Sequence, residues 1–198
     1  MTQARPRFQT FAEYLTYDDD SDRRYELIDG ELIELPPESG LNDWLSICLR
    51  DYLITQVDRR LVRLGRCEIQ VPVLQPGDAA NRYPDLVLLE PIHLQLTLKR
   101  LTITADMPPP GLVAEVLSPG RQNRDRDLIR KRAQYAACGI PEYWLIDPEA
   151  QTVTVLALEG NTYCEVGVFQ GEAAIVSSVL PALILQATQI FADSNPIT

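Results

Sequence analysis

A single histidine, His93, serves the whole chain of 198 residues. Acid–base chemistry by paired histidines and metal centres built from several imidazoles are thereby excluded. The four cysteines, Cys48, Cys67, Cys138 and Cys164, are widely spaced and form no CxxC pair. That spacing points to reduced, buried thiols rather than disulfides or a zinc site. No apolar run approaches the roughly 20 residues that span a bilayer. The stretch from Met1 to Pro6 lacks the apolar segment of a secretion signal, so a cytoplasmic location with no membrane partner is expected. Positive charge is scarce too: 18 Lys and Arg stand against 28 Asp and Glu, for a net charge of −10. This argues against a generic nucleic-acid coat. Repeats, low-complexity stretches and linkers are also lacking, and the length suits one domain spanning residues 1–198.

The positive charge that exists is concentrated. Between Arg121 and Arg132 lie six basic residues (Arg121, Arg124, Arg126, Arg130, Lys131, Arg132) and only Asp125 and Asp127 as acids. This island is +4, leaving −14 for the remainder. It can meet phosphate; from charge alone, a solvated helix face with internal pairs is the simpler reading.

Hydrophobic spacing outlines the elements. A short amphipathic helix is predicted from Phe8 to Tyr17. Arg24 to Leu35 reads as a hairpin around Asp29-Gly30, a pair suited to the positive φ angles of a type I′ turn. Apolar residues at helical spacing from Leu41 to Leu64 predict one long helix closed by Gly65. Strands are expected at 67–74, 85–90, 112–117 and 142–147. Between the last two, a helix capped by Asn123 or Asp125 should run to Cys138. A second hairpin joins Val153–Leu158 to Thr162–Phe169 through Gly160-Asn161, and Ser177 to Phe191 should hold a final strand and a short helix. The segment from Pro91 to Met107 has no clear pattern. Strands before and after helices, with apolar runs buried on both faces, indicate an α/β fold with a mixed sheet.

Within this pattern two carboxylates are out of place. Glu115 interrupts the apolar run from Gly111 to Ser118, and Asp85 stands at the mouth of the strand running to Glu90. A bare carboxylate is costly to bury unless it is paired or binds a metal. Two carboxylates at strand ends, completed by a backbone carbonyl such as that of Val116, suit a hard cation such as magnesium or manganese. Asp127, Lys131 and Tyr135 share one helix face at i, i+4 and i+8. Lys131 is either the partner of Asp127 in an ordinary helix ion pair or a charge reaching back to Glu115. Glu26 either enters the same site or is an exposed hairpin carboxylate. Asp147-Pro148 reads as a turn start, and Tyr143 and Trp144 read as core.

These residues together resemble the PD-(D/E)XK nuclease superfamily, through Pro84-Asp85 and Glu115 to Leu117. More specifically, the chain resembles the Uma-two family of restriction endonucleases. The segments that carry the likeness are Tyr25–Glu31, Pro84–Val87, Ala114–Pro119, the Asp127, Lys131 and Tyr135 set, and Gly139–Pro148. The resemblance implies a restriction-endonuclease-like mixed sheet flanked by helices, with hairpins at the N-terminal and C-terminal ends. It also implies metal binding by Asp85 and Glu115, with Glu26 nearby, and a homodimer for which the hairpin from Val153 to Phe169 is a candidate interface. The chain departs from the superfamily two residues after Glu115, where Leu117 replaces the expected lysine; Lys131 then takes that role. It departs again at Leu41-Asn42-Asp43, where relatives carry a histidine. The expected activity is magnesium- or manganese-dependent hydrolysis of phosphodiesters in DNA. Asp85, Glu115, Lys131 and Glu26 form the site, and Arg121, Arg124 and Arg126 contact phosphates. RNA and branched DNA remain open as substrates, and a catalytically silent binding protein on the same fold is the alternative.

Overall fold

The structure is a computed structural model that describes residues 6–17, 21, 23–118 and 126–192. Its centre is a six-stranded sheet. The strands are β3 (Val62–Leu64), β6 (Leu86–Leu88), β8 (Leu112–Val116), β9 (Glu142–Asp147), β10 (Thr152–Glu159) and β11 (Thr162–Gln170), in the order β11-β10-β9-β8-β6-β3. β8 and β9 are parallel and every other pair is antiparallel, so the sheet is mixed. The crossover between β8 and β9 carries a π-helical turn, Arg126–Lys131, that runs directly into α4 (Arg132–Ala137).

Both faces of the sheet are covered, as the unbroken apolar runs require. On one face, α2 (Gly40–Leu53) lays down Leu45, Leu49 and Leu53, all fully buried against Leu112, Ala114, Val116 and Trp144. Ser39 caps α2, its hydroxyl accepting from the Asn42 amide at 3.1 Å. On the other face, Tyr135, Ala136 and Ile140 pack on Val113, Leu117, Tyr143 and Leu145. A small sheet lies beside this second layer: β5 (Asn81–Arg82), β4 (Glu68–Gln70) and β7 (Thr102–Ile103), with α3 (His93–Leu96) before β7. At the N-terminal end, α1 (Phe11–Leu15) covers the hairpin of β1 (Tyr25–Ile28) and β2 (Glu31–Glu34). Its turn residues Asp29 and Gly30 have φ of 50° and 82°, as a type I′ turn demands.

Three expectations about elements are corrected. The helix from Leu41 does not reach Leu64. It ends at Leu53, where the β-branched Ile54, Thr55 and Val57 weaken it and the Thr55 hydroxyl donates to the Tyr52 carbonyl. Asp58 then grips Arg60 by backbone and side chain, turning the chain into β3. The later apolar residues kept a helical period only because Val57, Leu61 and Leu64 reach the same core from a loop and a strand. Gly65 accordingly follows a strand, not a helix. Ser177 to Phe191 holds the short helix α5 (Ala187–Ile190) but no strand, only an isolated bridge between Ala174 and Gln186. Of the cysteines, Cys67 is buried but Cys164 is exposed, and all four are free thiols. The proposed caps Asn123 and Asp125 lie outside the described residues.

Candidate active site

Strand register creates the site. β6 and β8 pair antiparallel with Leu86 opposite Ala114, and one further step sets Asp85 opposite Glu115. Like charges directly across a sheet repel, so nothing in folding alone favours this pair. The two are also joined through the backbone, since the Val116 amide donates to Asp85 Oδ2 at 2.7 Å. Glu115 projects to the α4 side of the sheet and is 2% exposed.

There it meets the helix. Lys131 Nζ donates to Glu115 Oε2 at 2.8 Å and to Asp127 Oδ1 at 2.9 Å. Both readings of Lys131 are therefore realised at once: it is an intrahelical partner and a charge on Glu115. The Tyr135 hydroxyl donates to Glu115 Oε1 at 2.7 Å, and the Tyr143 hydroxyl fixes the helix start by donating to the Asp127 carbonyl at 3.0 Å. The π-helical turn thus places Asp127 and Lys131 over the end of β8; such turns are frequent at functional sites. Leu117, two residues after Glu115, is buried in the core.

The remaining expected residues differ in their surroundings. Glu26 lines the same cleft as Asp85, Glu115 and Lys131, but its Oε1 is held by Arg82 Nη1 at 2.9 Å, and Arg82 is itself braced by Gln134. Arg126 lines the cleft and donates weakly to Asp127 at 3.4 Å; Arg121 and Arg124 lie outside the described residues. The Val116 carbonyl accepts from Asn42 Nδ2 at 3.4 Å, and that amide also donates to the Ser118 hydroxyl at 2.9 Å. Asn42 thus reaches the site from the first turn of α2. Asp147 caps its turn through the Glu149 and Ala150 amides. Sequence reasoning named Asp127 without giving it a role in the site, and gave no role to Asn42. The i, i+4 spacing signalled Asp127 but looked like a surface pair, whereas no local signal marked Asn42.

Burial raises the Asp85 carboxyl well above its usual range, and the Glu115 charge adds to this. Burial also raises Glu115, with Lys131 opposing. For Lys131, burial would lower the pKa, but the charges of Glu115, Asp127 and Asp85 outweigh it and the ammonium is held above its usual range. Tyr135 is driven well above the usual tyrosine range by burial and by Glu115, so it remains a hydroxyl donor.

These shifts carry a signed consequence. Folding raises the Asp85 pKa, so Asp85 favours the fold at acid pH, and that contribution is lost as pH rises through the folded value. Asp85→Asn should therefore melt above the wild type in EDTA at pH 8, by about 2–4 °C for each kcal/mol relieved. The gap should shrink toward pH 5. A wild type that melts higher at pH 8 would refute this account of Asp85.

The donor set suits a hard divalent ion. Asp85, Glu115 and the Val116 carbonyl are all oxygen donors, and each Glu115 oxygen keeps a lone pair beyond its one hydrogen bond. Magnesium needs only one or two carboxylates beside water and phosphate. Among the described residues, no group of three or more His, Cys, Asp or Glu side chains is assembled for a metal, so Glu26 is not gathered with Asp85 and Glu115 into a three-carboxylate cage.

A mixed sheet flanked by helices is the architecture of a nuclease-like fold. The crystal structure of "a putative nuclease belonging to DUF820" from Anabaena variabilis ATCC 29413 has a similar fold, with a TM-score of 0.66 and 21% identity over 92% of this chain and 97% of that one. The family Uma2, described as "Putative restriction endonuclease", matches residues 11–188, and the chain belongs to it. No curated protein matches the chain. No helix among the described residues is long and apolar enough to cross a membrane.

Proposed function

We propose that the chain is a magnesium- or manganese-dependent endonuclease that hydrolyses phosphodiester bonds in DNA. The observation that carries this reading is the Lys131 ammonium at 2.8 Å from Glu115, within a cleft that Asp85 also lines. Asp85, Glu115 and the Val116 carbonyl would hold the ion. When bound, it supplies Lewis-acid activation of a phosphate oxygen and of the attacking water. Lys131 offsets the negative charge that grows on the phosphate in the transition state. With its pKa raised it stays an ammonium, so it serves as a charge and hydrogen-bond donor and not as the base. Asp127 and Tyr135 are positioning residues that aim Lys131 and Glu115. Arg126 faces the same cleft as a phosphate contact, a role also proposed for Arg121 and Arg124. Glu26 lies near enough to the cleft to hold a water, provided it keeps its bond to Arg82.

Supercoiled plasmid with magnesium or manganese tests the reading. The wild type should nick and linearise it, and Asp85→Ala should do so at least about a hundredfold more slowly, the scale of losing one transition-state contact. Equal residual cleavage by both proteins would mark contamination and sink the assignment. A second reading, a catalytically silent nuclease-fold protein, is favoured by Leu117 at the lysine position and by the surplus negative charge. Titration calorimetry separates the two: manganese heat that Glu115→Ala abolishes supports the enzyme, and no heat supports the silent protein. Cutting both strands of a duplex would be served by a homodimer, with edge strand β11 as its contact.

A further inference from the structure

The catalytic cleft is the narrow middle of a longer trench. Its own cavity measures about 280 Å³ and is lined by Glu26, Asp85, Glu115, Arg126 and Lys131, among others. Beyond Asp85 it opens into a cavity of about 440 Å³ with which it shares Arg24, Glu38 and Asp85. On the other side, Glu26 and Arg126 form a common wall with a cavity of about 590 Å³ that extends to Ile129 and Arg130. The three volumes therefore lie in series, with the two opposed carboxylates between the outer ones.

The middle section is small for a duplex. A cavity of that volume lies just below the size that holds one small ligand. At its floor Glu115 is 2% exposed and Lys131 6%. A phosphate in an intact double helix stays with its groove and its paired strand, and reaches side chains buried to that degree only where the strands part, as they do locally in supercoiled plasmid. A single strand reaches them directly, because its backbone is free to enter, with its bases turned out along the trench.

The cations are distributed to match. At the Arg130 end the outer guanidinium, Arg130, is already paired with Asp78 at 3.3 Å. At the other end Arg24 and Arg66 meet no carboxylate among the described residues. Arg24 Nη1 donates to the Gly65 carbonyl at 2.6 Å, and the Gly65 amide donates to the Asp85 carbonyl at 3.0 Å, so Arg24 is tied to the strand that carries Asp85. Arg66 is exposed, and among the described residues it pairs with no carboxylate. Glu38 and Asp43 line the same cavity and confine a phosphate to the arginine side.

We infer that the trench takes DNA as a single strand, free or as the loose arm of a branched duplex, with Arg24 and Arg66 holding the phosphates beside the one that is cut. The inference rests on the nuclease reading of the site, and the test keeps the two apart. Fluorescence anisotropy with a labelled single-stranded oligonucleotide and with its duplex, in calcium, reads binding without cleavage. The single strand should bind at least tenfold more tightly. Arg24→Ala with Arg66→Ala should weaken it at least tenfold and flatten the slope of log K against log salt by about 1.4, from two contacts at about 0.7 each. Arg66→Glu, at an exposed position, replaces the double variant if that one fails to fold. Equal affinity for both forms, binding to neither, or indifference to the arginines overturns the inference. Cleavage with magnesium is then measured on single-stranded, flapped and duplex DNA. Intact duplex cut as fast as the single strand keeps the nuclease and overturns the trench. Arginine-dependent single-strand binding with no cleavage keeps the trench and removes the nuclease.

Discussion

Lys131→Met should abolish metal-dependent cleavage and destabilise the protein by about 3–5 kcal/mol, the cost of removing one partner from a buried ion pair. Two carboxylates depend on this one ammonium: Glu115 at 2.8 Å and Asp127 at 2.9 Å, both nearly inaccessible to water. Without it, Tyr135 alone still donates to Glu115. The buried charge is then relieved by taking up a proton, which further raises a pKa that burial already raises. A protonated Glu115 is a poor metal ligand, so the variant should lose both the charge on phosphate and metal affinity. Chemical denaturation gives the stability loss, and plasmid nicking gives the activity, expected to fall by about 10²–10³ or more. Lys131→Arg separates the roles, since it keeps the charge but changes its geometry. Full activity in Lys131→Met, with stability unchanged, would mean that the ammonium serves neither purpose.

Glu142→Ala should cost stability on the same scale, about 3–5 kcal/mol, at a point far from the cleft. Glu142 opens β9 opposite Leu112, at the end of β8 away from Glu115, and is fully buried. Its carboxylate accepts from the Trp144 indole at 2.9 Å, the Ser177 hydroxyl at 2.8 Å, the Ser178 hydroxyl at 2.7 Å, the Ser178 amide and the Val179 amide at 3.0 Å. Hydrogen bonds to a charged group are each worth about 1.5–3 kcal/mol, and a buried donor left unpaired costs about 1–3 kcal/mol. Losing the carboxylate strands several donors at once and frees the segment from Ser177 that packs Val179 and Leu180 on the core. A fall in melting temperature of about 10 °C is expected for a chain of this size. Glu165→Ala, at an exposed position on β11, should stay within about 0.5 kcal/mol. If Glu142→Ala melts with the wild type, the carboxylate does not hold the C-terminal segment.

Much of this molecule is written locally. The Asp29-Gly30 turn, the apolar runs of β8 and β9, and the hairpin of β10 and β11 follow from spacing and turn chemistry. Asp85 and Glu115 stood out because a carboxylate in an apolar strand requires a reason. Other features are written only in the fold. The end of α2 at Leu53 has no proline or glycine to mark it, and the residues beyond it keep a helical period while contributing to the core from a strand. Glu142 looked like an ordinary strand residue, because its partners from Ser177 to Val179 arrive from some 35 residues away. Asn42 is invisible for the same reason: its contacts with Val116 and Ser118 exist only once α2 packs across β8. Asp127 was seen as the partner of Lys131, but its burial depends on the π-helical turn, which no residue pattern announces.

The central claim is that Asp85 and Glu115 share one divalent cation. A crystal soaked in manganese and measured at the manganese absorption edge tests it most directly. The expected result is one anomalous peak within ligand distance of both carboxylates and of the Val116 carbonyl, absent in crystals of Asp85→Asn. Crystals saturated with manganese that show no peak there, or a peak that persists in Asp85→Asn, would contradict it.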